Sequence, residues 1–277
     1  MSDKRPADAQ ADVSTPPRIE ILLVDMNGRL RGKQIPIETE KKVWEGAVRL
    51  PASTQSLDIW GDDNDDLTGI SLTLGDPDGA VLPDRRSHVP MPWAPKGSSQ
   101  VLASMHTLAG EPHFCDPRGM LAKLLKRFEA KGLTPVVATE LEFFLFDQTY
   151  DDARANGYRD LQLVSGYNED YHIFQTTKEE DVMRAIRNGL QGAGIPVENS
   201  KGEASAGQEE INVRYAEALT MADRHVIIKN GCKEIAWARG KAITFLAKWN
   251  YTAAGSSSHI HQSLWSLDGK PLFFDPA

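Results

Sequence analysis

Residues 19–24 are apolar apart from Glu20 and are followed by Asp25-Met26-Asn27-Gly28, a turn sequence that accepts positive φ. The pattern predicts a strand that returns as a hairpin over 31–36. Strand-like stretches follow at 70–74 and 101–106, with a Pro-rich connection at 89–95. Beyond Gly110 the rhythm changes. Asp116 and Pro117 supply an N-cap and first-turn pair, Met120, Leu121, Leu124, Leu125 and Phe128 recur at helical spacing, and Gly132 supplies a stop. Residues 134–146 read as an apolar strand interrupted by two carboxylates, and 178–191 as a helix with Val182, Met183, Ile186 and Leu190 on one side. Residues 208–215 alternate polar and apolar, 216–239 read as a long helix, and strands are predicted at 243–249 and 259–265.

Helices and strands are mixed without regular alternation, and neighbouring strands look like hairpins. The prediction is therefore an α+β fold with an antiparallel sheet, not a doubly wound parallel one. Residues 1–17 are polar and read as a disordered lead-in, 18–110 as a first domain, and 111–277 as a second. No glycine-rich phosphate loop appears, so any nucleotide must be held by another device.

Composition narrows the function. A chain of 277 residues that is 40% hydrophobic can bury a sizeable core. A net charge of −8 without a basic run argues against a nucleic-acid or membrane-surface role, since both need clustered Lys and Arg. No apolar run is long enough for a bilayer, and the start lacks a signal-peptide core. Two cysteines, Cys115 and Cys232, are too few for a disulfide scaffold and fit a reducing cytoplasm as small buried hydrophobes. The dense carboxylates of residues 61–66 lack the spacing and final Glu of a calcium loop, so they read as a solvated turn.

Three segments carry chemistry. In TPVVATELEFFLFD, Glu140 and Glu142 stand two apart and so share one face of a strand, where they repel unless cations lie opposite. A solvent-facing strand gives the same pattern. In GEASAGQEEINVRY, Gln208, Glu210, Asn212 and Arg214 share a face, and Glu203 sits in a small-residue loop that lets a ligand come close. In GSSSHIHQSLW, His259, His261 and Ser263 fall together, at a spacing common both to metal ligands and to structural histidines. Four carboxylates with one or two histidines suit hard or borderline divalent ions such as Mg²⁺ or Mn²⁺, and paired ions of that kind bridge phosphate oxygens.

Taken in order, the three segments resemble the motif series of the glutamine synthetase family. The resemblance covers nearly everything after the lead-in. It implies an N-terminal β-grasp domain over 18–110 and, over 111–277, part of the antiparallel-sheet catalytic domain, incomplete at its C-terminus. Carried over by position, Glu142, Glu203 and Glu210 match the ligands of one metal, and Glu140 and His259 two ligands of the other. Tyr215, His261 and Ser263 match nucleotide-side positions, and Gly255 matches the glycine of the glutamate-binding loop. The implied reaction is phosphorylation of the γ-carboxylate of glutamate by ATP, then attack by an amine on γ-glutamyl phosphate. The family also implies a homo-oligomeric ring in which the N-terminal domain of one subunit completes its neighbour's site.

Two departures shape that expectation. Ammonia-using members carry an Asp-Gly-Ser-Ser stretch where this sequence reads Leu50-Pro51-Ala52-Ser53-Thr54, and the loop asparagine before the glycine is replaced by Ala254. Loss of a carboxylate disfavours a small cation and points to an organic amine as acceptor, as in the γ-glutamyl-polyamine and γ-glutamyl-anilide or alkylamide synthetases. The family's last metal carboxylate, its flap glutamate and several phosphate-binding arginines are expected past residue 277, so catalytic residues are not assigned within this stretch.

Overall fold

The computed structural model describes residues 15–64 and 75–275, which divide into two compact units. The 70–74 strand and part of the acidic 61–66 turn lie outside the described residues. No helix among the described residues is long and apolar enough to cross a membrane. The architecture is mixed helix and sheet, with two six-stranded sheets among the described residues.

One unit comprises residues up to 136, 217–226 and the stretch from 263. Its strands are β1 (Arg18–Val24), β2 (Leu30–Pro36), β3 (Arg49–Pro51), β4 (Asp78–Pro83), β5 (Val89–Pro90) and β6 (Ser99–His106), with the short helix α1 at Lys41–Trp44. They run in the order β2-β1-β6-β4-β3, with β5 against β6. The hairpin is as expected: β1 pairs antiparallel with β2 from Arg18↔Pro36 to Val24↔Leu30. Gly28 takes φ +69 in the turn, and the Asp25 carboxylate accepts the Asn27 and Arg29 N–H groups at 2.9 and 2.8 Å. β1 and β6 are parallel, an exception to the antiparallel expectation. Ile19, Ile21 and Leu23 share one pleat face and are buried with Val101, Ala103 and Met105.

Helix α2 (Pro117–Glu129) forms where the spacing predicts it, with Asp116 at the N-cap and Pro117 first. The Asp116 carboxylate serves the sheet, accepting from the Met105 N–H at 3.2 Å and the Gln55 amide at 3.3 Å. Of the expected apolar stripe, Leu121, Leu125 and Phe128 are half-buried, while Met120 and Leu124 are exposed. Buried Arg118 anchors the helix instead. Its guanidinium donates to both Asp223 carboxylate oxygens at 2.9 Å and to Asp84 at 2.8 Å.

The other unit comprises residues 137–216 and 227–262. Its sheet is built on the long strand β7 (Leu133–Phe146), with β8 (Val197–Gly202), β9 (Gln208–Val213), β10 (Ala216–Glu217), β11 (Ala242–Thr244) and β12 (Ile260–Ser266). β10, β9, β11 and β12 all pair with β7, and β8 lies outside β9. The helices are α3 (Tyr150–Ala155), α4 (Ile173–Lys178), α5 (Glu180–Gly192) and α6 (Ala218–Trp237). All four apolar residues predicted to line α5 are buried. Cys115 and Cys232 are both free and buried.

The predicted strand at 243–249 is cut short, because Trp249 turns back onto the sheet. Its ring meets Phe144 and Phe146 edge-on at centroid distances of 5.4 and 5.0 Å. A continuing strand would carry it past them.

Candidate metal centre

Antiparallel register places the carboxylates. β7 and β9 align Glu140 with Asn212, Glu142 with Glu210 and Phe144 with Gln208, so the two polar faces read from the sequence are one face of the sheet. The chain before β12 runs along the other edge of β7, where the Glu140 N–H donates to the His259 carbonyl at 3.1 Å. This brings His259 beside Glu140.

Two overlapping groups result. Glu142, Glu203 and Glu210 offer oxygens that all lie within 4.8 Å of one another, and Glu140, Glu210 and His259 do the same. Glu210 belongs to both. The five residues singled out as metal ligands in the sequence therefore stand together, Glu140, Glu142 and Glu210 on one sheet face and Glu203 and His259 from the segments at the ends of β8 and β12. Glu142 and Glu210 are buried, whereas His259 is exposed.

Neighbours hold each side chain. Glu142 Oε2 accepts the Ser257 N–H at 2.9 Å and the Gln208 amide at 3.3 Å, and that amide also donates to the Gly255 carbonyl at 3.0 Å. Gly255 thus tethers its loop to the sheet, and a Cβ there would come 3.0 Å from the Ala247 carbonyl oxygen. The Asn212 amide donates to Glu210 at 2.7 Å. His259 Nδ1 and His261 Nε2 each lie 2.9 Å from a different oxygen of Glu140. Burial pushes the Glu140 carboxyl up, but the two imidazole contacts outweigh it and hold the group below its ordinary value.

Two further predicted residues lie on or beside the strands of this sheet. Tyr215 follows β9, exposed, with the Arg214 guanidinium 5.6 Å over its ring. Ser263 stands on β12 two residues beyond His261, and its hydroxyl accepts the Trp265 indole N–H at 2.9 Å.

Sequence reasoning missed Lys201. It lies opposite Glu210 in the β8–β9 register, hydrogen-bonds Glu203, and places its ammonium 3.5 Å from Glu210 and 4.7 Å over the Tyr171 ring. A cation already lies among these carboxylates. The donor set, all oxygen with one imidazole, fits Mg²⁺ or Mn²⁺. Gln208 Oε1 and Ser256 Oγ, buried without hydrogen-bond partners, leave unspent polar capacity beside it.

The chain is similar to several known proteins. The family model described as glutamine synthetase, catalytic domain, matches residues 114–277. Gamma-glutamylethanolamide synthetase of Streptomyces coelicolor is 37% identical over 267 residues, covering 95% of this chain and 56% of that protein. Glutamate–isopropylamine ligase of a Pseudomonas species is 34% identical, covering 93% of this chain and 56% of the relative. The chain thus spans about half the length of the curated relatives it matches. Among solved structures, apo GmaS without ligand superposes with a TM-score of 0.80 at 24% identity, covering 95% of this chain and 57% of that one, which speaks to the fold alone.

Proposed function

The chain belongs to the glutamine synthetase family, and from that premise we propose that it serves as an ATP-dependent ligase joining an amine to the γ-carboxylate of glutamate through γ-glutamyl phosphate. The observation that carries the reading is the pair of ligand groups joined by Glu210 on one sheet face. Mg²⁺ or Mn²⁺ held by Glu142, Glu203 and Glu210, and by Glu140 and His259, would neutralise charge on the phosphoryl group in transfer.

The chain's own residues prepare that arrangement. Ser257 and Gln208 fix the Glu142 carboxylate, Asn212 fixes Glu210, and the imidazoles of His259 and His261 fix Glu140. These carboxylates are oriented before any ligand arrives, which lowers the reorganisation that catalysis requires. In the same reading Tyr215, His261 and Ser263 lie on the nucleotide side and Gly255 on the glutamate side.

The acceptor is an organic amine. Two relatives are named for ethanolamide and isopropylamine products or substrates, and residues 50–54 lack the carboxylate that a small cation would need. The mixed sheet, with β1 and β6 parallel at its centre and antiparallel partners on both sides, supports a β-grasp for the N-terminal region. The start of the family match at residue 114 supports a domain division near 110. A cytoplasmic homo-oligomeric ring completes the reading, and native mass measurement tests the assembly.

Turnover is the decisive test. The protein expressed from its full native reading frame is incubated with glutamate, ATP, Mg²⁺ and one acceptor at a time: ammonium, a diamine, ethanolamine, an alkylamine or aniline. The expected result is a γ-glutamyl amide, ADP and phosphate, with an organic amine preferred. Ammonium as clearly the best acceptor would make the protein a glutamine synthetase. ATP binding without product from any acceptor would make it a non-catalytic relative.

A further inference from the structure

Adjacent residues of a strand face opposite ways, so Glu209 points away from the centre that Glu210 helps to build. There it meets two more carboxylates. Glu169 comes from the segment before α4, and Glu179 from the joint between α4 and α5. One oxygen from each lies within 4.8 Å of the others. The three residues are 0%, 5% and 1% exposed, for Glu169, Glu179 and Glu209 respectively.

An acidic cluster alone says little, because carboxylates also gather by sharing protons or borrowing cations. Here no donor from outside the cluster serves four of their oxygens among the described residues: Glu169 Oε2, both oxygens of Glu179 and Glu209 Oε1 are buried without a donor, and there the three carboxyls face one another. Glu169 Oε1 alone accepts a backbone donor, the Gly207 N–H at 2.7 Å. The nearest ammonium in sequence, Lys178, is committed elsewhere, donating to Gln175 at 2.7 Å and lying 4.9 Å over the Phe174 ring. Three buried carboxylates thus gather with four of their oxygens unserved by any donor among the described residues. Leaving even one such group unpaired in the interior costs about 1–3 kcal/mol, and more when it is charged.

We propose that Glu169, Glu179 and Glu209 form a further site for a hard divalent cation, on the opposite face of β9 from the Glu140–Glu142–Glu203–Glu210–His259 centre. Three carboxylates and no nitrogen or sulfur select Ca²⁺, Mg²⁺ or Mn²⁺. Ligand oxygens on one ion with metal–oxygen distances of about 2.4 Å stand no more than about 4.8 Å apart, and these oxygens lie within that limit. Three buried carboxylates crowded together repel one another, a cost that a doubly charged ion offsets. Bound there, the ion ties the segment before α4 and the α4–α5 joint to β9. The packing is close: Gly202, opposite Glu209 in the β8–β9 register, would put any Cβ 2.6 Å from Glu169 Cβ.

The site is tested by counting Mn²⁺. A Glu140→Gln/Glu142→Gln/Glu210→Gln variant disables the front centre, and after dialysis against chelator its bound Mn²⁺ is measured by electron paramagnetic resonance. The expected result is one tightly held Mn²⁺ per chain, lost when Glu179→Gln or Glu209→Gln is added and circular dichroism shows the fold intact. No Mn²⁺ in the triple variant, or Mn²⁺ that survives both added changes, overturns the proposal. Wild-type crystals soaked in MnCl₂ give an arm independent of variant folding: an anomalous peak among the three carboxylates is expected, and its absence beside an occupied front centre sinks the site.

Discussion

Lys201 competes with the divalent ion it sits beside, and Lys201→Met exposes that competition. Methionine keeps a flexible stem against Tyr171 and deletes the charge. With an ion held among Glu142, Glu203 and Glu210, the ammonium, now 3.5 Å from Glu210 Oε1, would lie about 4 Å from a +2 charge. That repulsion is worth about 2 kcal/mol in bulk water and about 8 kcal/mol at an effective dielectric near 20. The larger value is not reached, because the side chain is 19% exposed and can retreat towards water. Retreat forfeits the aromatic contact, worth about 0.5–2 kcal/mol, and the hydrogen bond to Glu203. The competition therefore settles near 1.4 kcal/mol, a factor of about ten in Kd.

A second effect has the same sign. Without Lys201 the metal-free protein holds Glu203 and Glu210 with less compensation, so it is less stable, and the metal-bound form is spared. Calorimetric titration of chelator-treated protein with Mn²⁺ should show about tenfold tighter binding for Lys201→Met. Its melting temperature should fall in chelator and rise further than wild type on adding metal. Lys201→Arg, which keeps the charge, should gain nothing. Equal or weaker Mn²⁺ affinity in Lys201→Met would refute the reasoning and make Lys201 a residue that orders the carboxylates for the ion.

Other outcomes follow from the same geometry. Arg118→Met leaves Asp223 and Asp84 without their buried guanidinium and should cost about 3–5 kcal/mol in urea unfolding, against under about 1 kcal/mol for the exposed pair partner change Lys41→Met. Hydrogen bonds from Arg86, and with them Arg118, outweigh burial and hold the Asp84 carboxyl well below the usual range. A depressed folded value means that its stabilisation is present above about pH 4, the unfolded value, and is lost as pH falls towards the folded one. Asp84→Asn should therefore lower the urea midpoint at pH 7 and shrink its drop between pH 7 and pH 3. Gly32→Ala, whose Cβ would come 2.0 Å from the Ile21 carbonyl oxygen, should destabilise the hairpin by about 1–3 kcal/mol, read as a lower melting temperature with α5 helicity retained.

Which parts of this were legible in the sequence depends on whether a residue's neighbours were set by local rhythm. Glu140 with Glu142, and Gln208 with Glu210, declare a shared face because each pair stands two apart within a strand of apolar alternation. Lys201 made no such declaration. It lies in β8, whose sequence Val-Glu-Asn-Ser-Lys-Gly has almost no apolar face, so only pairing with β9 makes it a strand. Glu169 and Glu179 come from a loop and a helix joint, where no period reports direction. For α2 the spacing foretold a helix, yet of its apolar stripe Met120 and Leu124 stay exposed and Arg118 is the buried anchor, because periodicity reports a face and not what covers it.

The same alternation that made β9 readable also makes its register consequential. Glu209 and Glu210 are consecutive, and each serves an opposite face of the sheet. A slip of one residue would exchange them, bringing Glu209 to the front centre and burying Glu210 among the back carboxylates. Ile211 and Val213 would meanwhile leave the core, where they are 1% and 3% exposed. Charge alone cannot forbid that exchange, since the two side chains are identical. The discrimination comes from Ile211 and Val213, which only the observed register keeps in the core, and from the flanks. Gly207 turns at φ +65 and donates its N–H to Glu169, while Gln208 reaches from the front face to Glu142 and Gly255. Both contacts hold only in the observed register. The glycine and glutamine of the Gly207-Gln208-Glu209-Glu210 run thus do positional work, telling two neighbouring glutamates which face each one serves.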